Sequence, residues 1–582
     1  MSLTAGWKRR YILHSVYVVC GCLLLVASIA AAQSSAGSNE ANVPNPVASQ
    51  STPDSAAGNQ SQINELRRQL AEQQRQIEEL RATLQKDAQE SGATAVAKNP
   101  PADSAGSHIT GQVASMTPVL PSAAVATALP LVPQADKKKD EETSPLQFHL
   151  GSAYFTPVGF MDFTAVFRDT DAGSNIGTNF GSFPYRNYTA SNVTGNLSEF
   201  RMSPQNSRLG MRVDALVKGA KVIGYWESDF LGGTGNPPVG NISVSSNSYP
   251  FRLRLYWVDL RKGKFELLGG QTWSLLTPGR KGISPLPGDL FYSNVIDVNY
   301  MLGLVWGRIP EFRMVYHPSD KVAMAVALGN GEQYIGGSGG AGAIVLPTNL
   351  ATPYGSQLDN GTTTLAVPNM HPDIMAKIAF DPVKIFHFEI GGVERTFKTY
   401  NPLTAQYFVT EGAGVQVNLN LELVKNFRFV TNNYWSDGGG RYIFGQAPDL
   451  IIRNDGSPSP VKSGSTVTGF EFTQRNLQLY TYYGGVYIAQ NVAVAPSNGN
   501  LVGYGFTGSA SSQNRSVQEA SIGFIQTFWK DAKYGALSVM GQYAYFTRNP
   551  WYVASNTPKN THMNEVWLNL RYALPGSAPS LK

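Results

Sequence analysis

Apolar and polar residues alternate along the chain from Phe148 to Leu574 in segments of about nine to thirteen residues, and no stretch of helical period competes with them. Side chains on a strand point alternately to opposite faces, so each segment predicts a strand with one oily and one polar face. Leu209, Met211 and Val213 alternate with Arg208, Gly210 and Arg212. Val415, Val417, Leu419, Leu421 and Leu423 alternate with Gln416, Asn418, Asn420 and Glu422. Near the C-terminus Val566, Leu568, Leu570 and Tyr572 stand opposite Glu565, Trp567, Asn569 and Arg571. In "FRLRLYWVDLRKGKFELLGGQTWSLL" strict alternation puts Arg252 and Arg254 on one face with Tyr256, and Phe251, Leu253, Leu255 and Trp257 on the other.

The connections between these segments sort by length. Tight turns are predicted at 217–221, 261–264, 317–321, 381–384, 424–427, 473–476 and 529–533. Long loops rich in Gly, Ser, Asn and Pro fall at 169–206, 232–250, 274–305, 331–370, 397–411, 436–466, 490–515 and 547–562. Seven short turns and eight long loops separate sixteen strands. An even number of antiparallel strands with short connections at one end and long ones at the other is the pattern of an outer-membrane β-barrel. Closure follows, because lipid cannot satisfy the backbone groups of an open edge. A soluble sandwich also alternates, but it would not sort its loops by length. The expected fold class is therefore all-β, a 16-stranded antiparallel transmembrane barrel over residues 148–574, with a tail at 575–582. A barrel of this size is too wide for side chains alone to fill, so its polar face lines water.

The chain before the barrel has a different texture. Lys8, Arg9 and Arg10, the apolar "VYVVCGCLLLVASIA" and Ala30-Ala31-Ala32 read as a secretory signal over residues 1–32. A retained membrane anchor and a lipoprotein modified at Cys22 are the alternatives. Residues 33–60 form a tether too poor in apolar surface to fold. Over 61–87, Ile63, Leu66, Leu70, Ile77, Leu80 and Leu84 lie on a heptad seam, which predicts a short coiled coil formed between copies of the chain; the alternative is a single amphipathic helix. A second linker spans 88–147 and contains "DKKKDEE".

Composition fits a large aromatic sheet protein: charged residues make up only 15%, against 58 Gly, 27 Tyr and 27 Phe. Loss of the signal would reduce 46 basic residues to 43, against 41 acidic ones, so global charge points to no nucleic acid partner. Both cysteines lie in the signal, which removes thiol and disulfide chemistry from the mature chain. No serine stands in an activating motif, and no His/Asp/Glu spacing matches a metal site, so neither an enzyme nor a cofactor is expected. His387, the one histidine deep within a strand, shares a face with Glu389 and is expected in the lumen or at a subunit interface.

Candidate chemistry lies on the polar face. Arg208, Arg252, Arg254 and Arg308 each follow soon after a long loop, with Arg212 and Arg313 further down, so the six are expected on one wall of the lumen. Clustered guanidiniums beside a water-filled constriction raise the local anion concentration and grip carboxylate or phosphate groups two-pronged. The competing reading pairs them with Glu227, Asp229 or Glu311 and leaves the lumen merely wet. The loop at 274–305 is a candidate to fold inward. It carries Arg280, Lys281, Asp289 and Asp297, and its acids would then face the arginines.

The stretches "VGFMDFTAVFRD", "SRLGMRV", "GYWESDFLG", "FRLRLYWVDL" and "LLGGQTWSLLTP", with the signal, the heptad helix and the polar-lumen barrel, resemble the DcaP-type outer-membrane porins. The resemblance implies a homotrimer in the outer membrane of a Gram-negative bacterium, its coiled coil in the periplasm, passing small anionic solutes such as dicarboxylates. Outer-membrane lipid is then one partner, and peptidoglycan is a further candidate for the coiled coil. An adhesive or wall-tethering barrel and a phosphate-selective porin are the alternatives. The end of the chain departs from many barrels, since "WLNLRYAL" is followed by "PGSAPSLK" rather than by a terminal aromatic.

Overall fold

The computed structural model describes residues 113–114 and 145–575, apart from short stretches at 173, 175, 186–192, 233–248, 287–290, 294–299, 338–339, 362–366, 368–370, 445, 496–498 and 556. The expected signal, tether and coiled coil lie outside the described residues.

Sixteen antiparallel strands close into one barrel. They are β1 (Ala153–Arg168), β2 (Glu199–Ser203 continued by Arg208–Val217), β3 (Ala220–Asp229), β4 (Arg252–Lys262), β5 (Phe265–Trp273), β6 (Arg308–Ser319), β7 (Val322–Gly329) and β8 (Asp373–Val383). The circuit continues with β9 (Phe386–Asn401), β10 (Gln406–Val424), β11 (Phe427–Asp437), β12 (Lys462–Gln474), β13 (Leu477–Ile488), β14 (Asn514–Asp531), β15 (Gly535–Pro550) and β16 (Thr561–Pro575). Pairing of Glu565–Ala573 on β16 with Arg168–Phe160 on β1 closes the ring. β2 is interrupted at Pro204–Ser207. There the Ser207 hydroxyl takes the Asp162 N–H at 2.9 Å and donates to the Asp162 carbonyl at 3.1 Å, so the break is stitched to β1.

All seven tight turns fall where the sequence places them. Lys218 and Gly219 both adopt positive φ, at 48° and 76°, as a two-residue turn matched to strand twist requires. Asn426 and Arg475 take the same region at φ 69° and 52°.

The apolar face is the exposed one. Met161, Phe163, Leu253, Val258, Phe312, Met314, Val415 and Leu568 all point outward, while buried polar side chains line the inside. Inward-facing apolar cores would be expected of a soluble sandwich, so this polarity is that of a barrel in lipid.

Two expectations need correction. The segment 397–411 is not a long loop. Phe397 to Asn401 and Gln406 to Glu411 continue β9 and β10 in unbroken register, leaving Pro402 to Ala405 as a tight turn. Tyr400 pairs with Tyr407, their rings 4.7 Å apart. The cross-strand aromatic contact and the alternation of "TFKTY" with "QYFVT" outweigh the turn-forming Asn and Pro. The second correction concerns β4. The register shifts between Glu227 and Ser228, which face Leu255 and Leu253, so a bulge at Arg254–Leu255 reverses the parity of the strand. Leu255 is 0% exposed and Trp257 is buried inside, while Tyr256, at 62%, faces outward instead of joining the arginines.

A two-residue strand, Val113–Ala114, pairs with Pro575 and Leu574 inside the segment expected to be linker. At the opposite end, residues of the loops after β1, β5, β7, β11 and β13 pack into one apolar core that includes Phe180, Leu276, Leu350, Ile451 and Tyr504. Gly342 N–H donates to the Ser512 carbonyl at 3.0 Å and Tyr334 N–H to Asp449 Oδ2 at 3.0 Å, so main-chain donors fasten loop to loop.

Candidate functional site

Strand register sets the height of the arginines. Arg208 on β2 stands opposite Asp229 on β3, which stands opposite Arg252 on β4. Asp229 accepts both arms of Arg252, at 2.9 and 2.6 Å, and Arg254 at 2.6 Å. Glu227 accepts Arg254 Nε at 2.5 Å and lies 3.9 Å from Arg208. Lower down, Arg212 grips Asp214 two-pronged at 2.7 and 2.8 Å. Arg313 bonds Glu311 at 2.7 Å and the Trp273 carbonyl at 2.6 Å. Among the described residues the six arginines share the wall with Asp214, Glu227, Asp229 and Glu311, and nearer the tight turns Lys221 and Arg261 stand beside Asp259 and Glu266, so eight cations face six acids. Arg208, Arg212, Arg254 and Arg313 are buried, whereas the Arg252 side chain is 33% exposed and Arg308 is half-buried. Among the described residues, acid partners are shown for Arg208, Arg212, Arg252, Arg254 and Arg313.

The loop between β5 and β6 turns into the barrel. Its main chain and side chains meet lumen-facing groups on the far wall, from β8 to β15. Lys377 Nζ donates to the Thr277 carbonyl at 2.7 Å, and Gly279 N–H reaches both oxygens of Glu389 at 3.1 Å. Gly282 N–H donates to Asp381 at 2.9 Å, Leu302 N–H to Glu519 at 3.1 Å and Val305 N–H to Asn432 at 3.3 Å. Arg280 is bidentate to Glu471 at 2.8 and 2.6 Å and lies 5.1 Å from the Tyr292 ring centroid. Lys281 is half-buried at the same bend. Asp289 and Asp297 lie outside the described residues. Toward the far wall the described loop residues offer donors and the wall supplies the acids.

His387 lies inside the barrel, with Nδ1 2.8 Å from Asp381 and Nε2 3.2 Å from Glu389. Its neighbours are the two carboxylates that hold the loop, and Lys377 reaches Glu389 at 3.2 Å from the next strand.

Sequence reasoning missed two groupings. Arg395 on β9 bonds Asp373 at 3.0 Å, Asp449 at 2.8 Å and the Gly438 carbonyl at 2.6 Å, tying β8, β9 and the loop after β11 together. The aromatic cluster of Trp273, Tyr300, Trp306 and Phe444 is the second. Both join residues far apart in sequence through loops that carry no periodic signal. Among the described residues no group of three or more His, Cys, Asp or Glu side chains is placed to hold a metal ion.

The fold is that of the porin-type outer-membrane barrels. The outer membrane channel DcaP of Acinetobacter baumannii superposes with a TM-score of 0.52 at 17% identity, covering 73% of this chain and 98% of that one. An anion-selective porin from Comamonas acidovorans is matched with a TM-score of 0.41 at 11% identity over 72% of this chain and 100% of that one. No protein-family model and no curated protein matches the chain.

Proposed function

We propose that this chain is a porin, a passive outer-membrane channel whose lumen favours small anionic solutes, dicarboxylates among them. The observation that carries the reading is the wall from β2 to β6, where register sets Arg208, Asp229 and Arg252 at one height and further guanidiniums and carboxylates line the strands below. A fixed positive remainder beside a narrowed path raises the local concentration of anions and excludes cations. The inward loop supplies the narrowing, opposite that wall. The heptad seam Ile63 to Leu84 assembles three copies with the coiled coil in the periplasm of a Gram-negative cell, where it is placed to meet peptidoglycan.

The test is reversal potential under a salt gradient in a planar bilayer, for the wild type and for Arg252→Ala with Arg254→Ala. Anion selectivity that falls in the double variant supports the wall as the filter. Channels with unchanged selectivity move the filter elsewhere. No channel activity at all favours the adhesive or wall-tethering barrel.

A further inference from the structure

The tight turns carry a charge pattern that conduction through the lumen does not explain. Each of the seven presents at least one exposed cation, from Lys218 in the first to Arg475 and Lys530 in the last two. The exposed acids of the same turns are Asp320 and Asp531, and Asp531 is engaged by the main-chain N–H groups of Lys533 and Tyr534 at 2.7 and 3.0 Å. The ion pairs nearest this end, Arg261 with Glu266 and Arg428 with Glu422, belong to half-buried cations. Among the described residues the exposed lysines of the turns form none.

Their chain neighbours place these cations at the edge of the apolar belt. Val217 precedes Lys218, Val383 and Ile385 flank Lys384, Val424 precedes Lys425 and Trp529 precedes Lys530, and all five of these apolar side chains are exposed. Aromatic rings gather at the same level. Phe265, next to Lys264, lies 5.0 Å from Tyr316, and the Lys533 ammonium lies 5.3 Å from the Tyr534 centroid. A lysine stem runs along hydrocarbon while its ammonium reaches the polar boundary, and aromatic girdles mark that boundary on a barrel. Turns as short as Lys218–Gly219 have no length with which to project beyond it toward a distant polymer. The cations therefore stand where acyl chains end and head groups begin.

We infer that the seven turns form a basic collar that binds the phosphate head groups of anionic phospholipids in the adjacent leaflet. The inference rests on the porin reading, which puts the short turns at the periplasmic end of the barrel.

The test uses full-length protein in detergent supplied with equal amounts of phosphatidylglycerol and phosphatidylcholine, with bound lipid read by native mass spectrometry and channel current recorded in parallel. Phosphatidylglycerol is expected to be retained about fivefold over phosphatidylcholine at low salt, and the excess should collapse at high salt. Lys321→Gln, Lys384→Gln, Lys425→Gln and Lys530→Gln combined should remove most of the preference. Neutralising as many exposed cations at the loop end, by Lys398→Gln, Lys462→Gln, Arg515→Gln and Lys559→Gln, should leave it intact. Retention of the heat-modifiable electrophoretic shift shows that each variant is folded. A preference that survives the turn variant, or that falls equally in the loop-end variant, overturns the collar. So does sedimentation with peptidoglycan sacculi that depends on the turn lysines while the two lipids bind alike. Open channels without lipid preference leave the porin standing and remove the collar; lipid preference lost with the turn lysines, but without any current, leaves the collar and overturns the channel.

Discussion

The two walls of the lumen spend their carboxylates differently. Between β2 and β6, Asp214, Glu227, Asp229 and Glu311 all bond arginine side chains. Between β8 and β14, Asp381, Glu389 and Glu519 accept main-chain N–H groups of the inward loop, and Glu471 holds its Arg280. The same residue type therefore mainly sets charge on one side and position on the other, while Glu311 does both, accepting the Leu275 N–H of the loop at 3.2 Å, and Glu389 also pairs with Lys377. Removing an acid from the first wall should liberate a cation; removing one from the second should liberate a loop.

The largest effect is expected on the loop wall. Asp381→Ala with Glu389→Ala removes the acceptors of Gly279 and Gly282, and single-channel conductance should rise about twofold as the loop leaves its seat. An unchanged conductance would mean that Glu471, Glu519 and the apolar contacts suffice to hold it. Next in size, Glu227→Gln removes one of the two carboxylates that hold Arg254, leaving Asp229, and takes the same negative charge from its place 3.9 Å from Arg208. It should cost about 3 kcal/mol in urea unfolding from lipid vesicles and raise anion selectivity at low salt. A drop in anion selectivity would break the comparison.

A smaller effect concerns the loop cap. Burial, opposed by Arg441 and reinforced by a hydrogen bond with Asp359, pushes Glu332 up to about 8. An acid whose folded-state pKa is raised holds its proton more tightly when packed. Its packing is therefore least penalised below the ordinary carboxylate range and loses stability as pH climbs toward 8. Hydrogen exchange around Gly331 and Asp359, corrected for intrinsic rates, should be faster at pH 9 than at pH 6, and Glu332→Gln should flatten that dependence. Smallest is Gly219→Ala in the turn after β2, where φ of 76° penalises a Cβ by about 1 kcal/mol without changing conductance.

How much of this was legible in the sequence follows from which signals are local. The turns at Lys218–Gly219 and Asn426 depend on a few adjacent residues, and the strand count rests on them, so both were readable. The identity of the arginine wall followed from period-two alternation and loop position. Its acid partners were only one of two readings, because pairing of Arg254 with Glu227 and Asp229 depends on register between strands more than twenty residues apart. The seat of the inward loop was not legible at all: Gly279 and Gly282 meet Glu389 and Asp381 about a hundred residues away through main-chain donors that every sequence carries. The hairpin of β9 and β10 was misjudged because Asn401 and Pro402 look like loop, while the Tyr400–Tyr407 contact appears only once the strands are paired.

The extra residue at Arg254–Leu255 acts on β4 as a frameshift acts on a message. Everything after it is read on the opposite face, which is why Trp257 and Asp259 end up inside although alternation from Arg252 would send them out. Deleting either residue would restore plain alternation and keep Asp259 on the lumen face, so a one-residue deletion scan along β4 should find its highest surface yield at these two positions.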